Sequence, residues 1–549
     1  MPGESFKIMA VLTDGPAEGL SASGPEGDPI ALDASARGGP PWSLSADLDA
    51  RQGGAYRIEI LRGGESIACR VVAVGSAAEG ADNPDPGEWD TTAEAFYSAW
   101  VERLFDAPPE VDLNFPSLEP VIRDPERNFL YGHFGRNEDA RLPATPDCAD
   151  LPYFLRAYFA WKTGLPMAYR ACDRGSAGRP PHCGAANLDQ GFTRGPVPVA
   201  SFNGLMRRIA DTVHSGSART ALGAEASDFY PLPLAREALW PGSVYADPYG
   251  HTLMVVRWVP QTSAHPGLLL AVDAQPDNSV SRKRFWEGTF LFADVPSAGP
   301  GFKAFRPLLR DGQGRIRLPS NESLAEVAPV APYSEEQGRL APEDFYAKMG
   351  KLANPKGLAP EQAYEAMLDA LAEQLRTRAE SVENGERYMR GHRGAVIPMP
   401  SGAAIFETMG SWEDYSTPSR DMRLLIAMNV LDRLPERIVR YPELFALGGR
   451  SPEAAKSAIE NLHEQLIRER RFSYTRSDGS PWELTVAEAM ARRPAFEVGY
   501  NPNDCAEARW GAKPGASESA TCTRRAPAEQ RARMEQYRGW FHETRRPTR

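Results

Sequence analysis

Two apolar runs near the middle of the chain, Thr252–Val259 and Leu268–Val272, are joined only by Gln261–Gly267. A connection this short cannot carry the crossover that parallel strands need, so the runs pair antiparallel. In that pairing the start of the first run lies beside the end of the second. His251 is delivered by the turn Asp247-Pro248-Tyr249-Gly250, and Asp273 closes Leu269-Leu270-Ala271-Val272, so the two become neighbours. A carboxylate at the end of a core strand needs a partner. An imidazole whose tautomer it sets is a general base.

The group such a base would serve lies upstream. Cys148 follows Thr145-Pro146-Asp147, and Cys148 to Lys162 reads as a buried helix with Leu151, Phe154, Leu155, Tyr158, Phe159 and Trp161 as its apolar body. Gly164 and Pro166 end it, and Pro152 falls in the first turn, where proline is tolerated. A helix N-terminus favours thiolate and offers free N–H groups to an oxyanion. Each residue alone has a plainer reading: a structural or disulfide-bonded cysteine, a hydrogen-bonded core histidine. The consistent register of the three is what favours catalysis.

The Asp-Cys helix start, the Gly-His strand and the following strand ending in Val-Asp resemble the papain-like cysteine hydrolase superfamily, in its transglutaminase-like and NlpC-type branches. The resemblance covers roughly residues 90–300. It implies an α+β core with a helix packed on an antiparallel sheet, Cys148 as nucleophile, His251 as base and Asp273 as orienter. It implies acyl-enzyme chemistry on an amide bond, in a peptide or peptidoglycan stem peptide, without metal or cofactor. Two alternatives stand beside it: a transglutaminase-type acyltransferase, and a non-catalytic binding or scaffold protein with a degenerate site. The chain departs from the pattern in its long Cys148–His251 gap, read as an inserted lid. Tyr131 and Asn137 are weak candidates for an upstream oxyanion donor. Gln275 or Asn278 could replace Asp273 as orienter. Cys148, Cys172, His182 and Cys183 match no standard zinc spacing.

At 549 residues the chain exceeds one core. We expect a flexible lead over residues 1–25 within a small β-sandwich-like module, 1–76, whose hairpin turns at Arg62-Gly63-Gly64-Glu65. A linker, 77–90, a papain-like domain, 91–330, and a mainly α-helical region, 331–549, follow. Residues 172–198 read as a loop, Phe285–Phe292 as an alternating aromatic strand, and Arg524–Arg549 as a basic tail, exposed or docked. A net charge of −11 argues against nucleic acid as a partner, and no apolar run approaches the roughly 18–20 residues of a membrane span.

Of the six cysteines, Cys172 and Cys183 lie close together in one irregular segment, and Cys505 and Cys522 in another. Both pairs are expected to be disulfides, leaving Cys148 free and Cys69 as a small buried hydrophobe. Loop disulfides fit a periplasmic or secreted protein. The absence of a convincing signal peptide points to a cytoplasmic one, or to a start that is not the precursor's.

Overall fold

Alternation in the N-terminal strands closes into two facing sheets. In the computed structural model, which describes residues 4–75, 87–263, 265–275, 277–327, 331–406 and 410–547, Glu4–Leu12, Trp42–Ala50 and Ser35–Arg37 form one antiparallel sheet. Pro29–Ile30, Gly19–Ser23, Gly54–Arg62 and Glu65–Val74 form the other. Ile8, Leu20, Leu48, Tyr56 and Ile58 fill the space between them. The hairpin turns where expected: Arg62 faces Glu65, with Gly63 at φ 64° and Gly64 at φ 79°, the paired positive dihedrals of a two-residue hairpin loop.

The flexible lead is corrected. Residues 4–12 are a strand, because Ile8, Ala10 and Leu12 alternate into the core, a pattern hidden by the Gly/Pro/Ser-rich composition around it. Cys69 is exposed, not buried, since Glu65–Val74 is the edge strand of its sheet. Most of the expected linker lies outside the described residues.

The middle of the chain is built on one seven-stranded antiparallel sheet. Its order is Phe229–Pro231, Gly301–Phe305, Val244–Ala246, Thr252–Val259, Leu268–Ala274, Val280–Arg284 and Asn114–Phe115. Met254 and Val256 face one side with Leu270 and Val272; Leu253 and Val255 face the other with Leu269 and Ala271. Burial on both faces explains why these strands read as continuous apolar runs. The first face is covered by the helix Asp150–Thr163, through Phe154, Tyr158 and Trp161. The second is covered by the helix Pro342–Ala353, through Phe345 and Met349.

Two expected elements differ. Residues 172–198 are not simply a loop: Met167–Cys172 and Cys183–Asp189 pair as a hairpin, and the Cys172–Cys183 disulfide staples opposite residues of it. The strand expected at Phe285–Phe292 lies earlier, at Val280–Arg284. Phe285, Phe290 and Phe292 instead fill the layer between the sheet and Phe345.

The remainder is mainly helical. Pro360–Gly391, Pro418–Arg440 and Pro452–Glu469 pack together with the hairpin Arg471–Thr475/Pro481–Thr485. The basic tail docks as the helix Ala528–His542, burying Met534, Tyr537 and Phe541. Cys505 and Cys522 are bonded to each other. No helix among the described residues is long and apolar enough to cross a membrane.

Candidate active site

The antiparallel register delivers His251 and Asp273 to each other. Met254 faces Val272, and at the end of this pair His251 Nε2 lies 2.9 Å from Asp273 Oδ2. The neighbouring strand adds the Ser281 hydroxyl, which donates to Asp273 Oδ1 at 2.9 Å. Gln275 donates to Asp273 Oδ2 at 2.5 Å. Burial alone would push the Asp273 carboxyl up. The Lys283 charge, the His251 hydrogen bond and Ser281 outweigh it and hold the carboxyl well below the usual carboxylate range. Asp273 is therefore an ionised anchor for one ring nitrogen. The other, Nδ1, has no hydrogen-bond partner among the described residues.

Cys148 sits one residue ahead of Ala149, the N-cap of the helix Asp150–Thr163, half-buried and free of any disulfide. Asp147 caps that helix: its Oδ1 accepts from Ala149 N at 2.8 Å and Asp150 N at 2.9 Å. The first-turn N–H groups are thus occupied, and the Cys148 N–H is the one without an acceptor among the described residues. The expected lowering of the thiol by the helix terminus is overridden. Burial first, then the charge of Asp147, pushes the thiol up, with Asp273 and Asp150 adding to it; a hydrogen bond from the Thr252 backbone opposes them. The resting form is the neutral thiol, and it is not hydrogen-bonded to the imidazole.

Cys148, His251 and Asp273 line one cavity of about 300 Å³. His214 lines it as well but is not equivalent to His251. Its Nδ1 accepts from Gly216 N at 3.0 Å and its Nε2 faces Cys172 O at 3.0 Å, so the ring serves as a backbone cap. Charge in the cavity is divided. Asp147 and Asp150 bear on the thiol, and Asp147 also on Glu413, which lines the cavity. Burial and then Asp147 raise both Asp150 and Glu413 to about 7, Asp150 with a further push from Asp211 and Glu413 from Asp414. Lys283, Arg420, Arg423 and Arg546 line the cavity as well.

No family model, curated protein or solved structure matches the chain. The geometry is therefore what bears on function.

Of the other residues singled out in the sequence, Gln275 lies in the cavity, where it braces Asp273 and accepts from Arg420 at 2.7 Å. Tyr131 and Asn137 do not line it. Their segment runs to the opposite end of the helix, where Glu138 and Asp139, beside Asn137, bind Lys162. Cys172 and Cys183 are bonded to each other, which removes them as thiolate ligands. Sequence reasoning missed Ser281 and Lys283, although both follow Asp273 across a short turn and alternate on the adjacent strand. It also missed the wall formed by Ser416–Arg423 and Arg546. No local pattern marks that wall, because it comes from the helical region and the docked tail.

Proposed function

We propose that the protein is a cysteine-dependent amide hydrolase of papain-like architecture. The observation that carries this is the His251 Nε2–Asp273 contact of 2.9 Å opening onto the cavity that Cys148 also lines. A helix headed by the cysteine and packed on an antiparallel sheet supports the same reading.

His251 Nδ1, left over by the Asp273 contact, takes the thiol proton as sulfur attacks the carbonyl carbon. The developing oxyanion receives the Cys148 N–H. The proton then passes to the leaving amine, the C–N bond breaks, and a thioester remains on Cys148. Water, deprotonated by His251, breaks the C–S bond and restores the thiol. An amine in place of water gives acyl transfer by the same steps. Because burial keeps the thiol neutral at rest, the imidazole acts as a general base in each cycle and no standing ion pair is required. The two disulfides favour an oxidising compartment as its location.

The test is thiol alkylation followed by mass spectrometry. Cys148 should react with iodoacetamide, and His251→Ala should slow that reaction tenfold or more. Equal rates with and without the imidazole would overturn the assignment. Exposed Cys69 serves as the internal reference for reagent access.

A further inference from the structure

A second recess adjoins the thiol cleft at Tyr249. It measures about 100 Å³ and shares Arg174, Tyr249, Phe406 and Arg546 with the cleft. Arg219 lines the recess but not the cleft, and among the described residues no Asp or Glu lines the recess.

Arg219 makes the recess unusual. Its side chain belongs to a residue only 5 % exposed, yet its Nη2 atom is buried with no hydrogen-bond acceptor. Its other contacts are long, 3.4 Å from Nη1 to Pro248 O and 3.4 Å from Nε to Ser215 O. Among the described residues, the carboxylate whose charge acts on this group is Asp247, and it lies 2.6 Å from Arg423. Lys303 stands behind, its ammonium donating to Thr220 O at 2.8 Å. Burial and then the Arg219 charge push that lysine down to about 7. Arg546 is lowered to about 9 by burial, against Asp247 and alongside Arg423 and Arg219. A buried cation whose counter-charge is shared with other arginines is costly, and planar guanidinium groups match carboxylate and phosphate oxygens in pairs.

We propose that the recess formed by Arg174, Arg219 and Arg546 binds an anionic group of the acyl substrate, a carboxylate or phosphate, and so restricts cleavage at Cys148 to substrates that carry one close to the scissile carbonyl. The anion site stands on its own geometry; its role in selecting substrates rests on the reading of Cys148 as nucleophile. Bound there, the anion supplies the acceptor that Arg219 Nη2 lacks.

The experiment is calorimetric titration of the full chain, at low ionic strength, with inorganic phosphate and separately with succinate. Saturable one-site binding of at least one is expected, weakened tenfold or more by Arg219→Met and by Arg546→Met and retained in Cys148→Ala. The tighter anion identifies the group carried by the substrate. Arg219 is buried, so if its variant loses the thermal transition of the wild type, Arg546→Met, on the C-terminal segment, decides. Titrations that do not saturate, or unchanged binding in Arg546→Met, overturn the proposal. Alkylation separates the two readings. Anion binding with an inert Cys148 leaves the recess standing and removes the hydrolase, whereas a reactive Cys148 without anion binding does the reverse.

Discussion

The two ends of the helix Asp150–Thr163 carry charge in opposite ways. At the C-terminal end, Lys162 is fully buried between Glu138 at 2.5 Å and Asp139 at 2.7 Å. Tyr158 donates to Asp139 at 2.8 Å, and Gly132 N at 2.7 Å. Burial would raise Glu138, but the Lys162 and Phe134 N–H hydrogen bonds hold it down to about 2. At the N-terminal end, Asp147 and Asp150 bear on a neutral thiol, and among the described residues no cation pairs with Asp150. One end is satisfied and structural; the other stays unsatisfied beside an open cavity. Charges are paired at the end that holds the helix in place, and left unpaired at the end where the proposed nucleophile stands.

The sharpest way to separate the ends is to remove the central group of each. Cys148→Ala should abolish amide cleavage, by at least about a thousandfold in kcat/KM, while leaving the urea midpoint close to that of the wild type. Lys162→Met should do the converse. It strands two buried carboxylates, and losses of about 3–5 kcal/mol are typical for breaking a buried pair. Denaturant titration of both variants, together with turnover of any substrate found, checks the pair. A Cys148→Ala protein as unstable as Lys162→Met would end the distinction.

Reduction of the disulfides is the next largest effect. Closing loops of this size stabilises by about 2–3 kcal/mol each in the chain-entropy model. The Cys172–Cys183 staple supports the hairpin that presents Arg174 and receives the His214 contact. Cys172→Ser/Cys183→Ser should therefore lower stability and also impair the cavity, whereas Cys505→Ser/Cys522→Ser should lower stability alone. Unfolding curves and Cys148 alkylation rates, measured in parallel, distinguish the two.

The smallest expected effect is in pH, and its sign differs between the ends. Glu138 is depressed from 4.5 to about 2, so its contribution is present above about 4.5 and is lost as pH falls towards 2. Asp150 is raised from 3.8 to about 7. Its protonated form suits the fold, so stability declines as pH rises from about 4 through 7. Asp150→Asn should flatten that neutral-side decline and leave the acid limb unchanged. Stability measured from pH 3 to 8 in both proteins would show it; a change confined to the acid limb would contradict the assignment.

Much of this was legible locally. The short connection between Thr252–Val259 and Leu268–Ala274 fixes an antiparallel register, and register places His251 beside Asp273 without reference to anything distant. The apolar body of Asp150–Thr163 announces a buried helix, and close spacing in irregular segments announces the disulfides. Where reading failed, composition or adjacency stood in for geometry. The strand Glu4–Leu12 was masked by its Gly/Pro/Ser-rich neighbours. Cys69 lies in an apolar run, but on a sheet edge. Tyr131 and Asn137 precede Cys148 in sequence, yet their segment travels the length of the helix and packs at its far end.

The sequence by itself determined the helix Asp150–Thr163, the pairing of Thr252–Val259 with Leu268–Ala274 and the His251–Asp273 contact, because periodicity and loop length act over a few residues. Only the tertiary structure decided what surrounds them. Ser416–Arg423 and Arg546 reach the cavity by the packing of the helical region and its tail. The neutral state of the thiol and the Arg219 Nη2 left without an acceptor arise from burial among residues far apart in the chain. Hydrophobic period records which face of an element is buried, but not which charges will meet behind it.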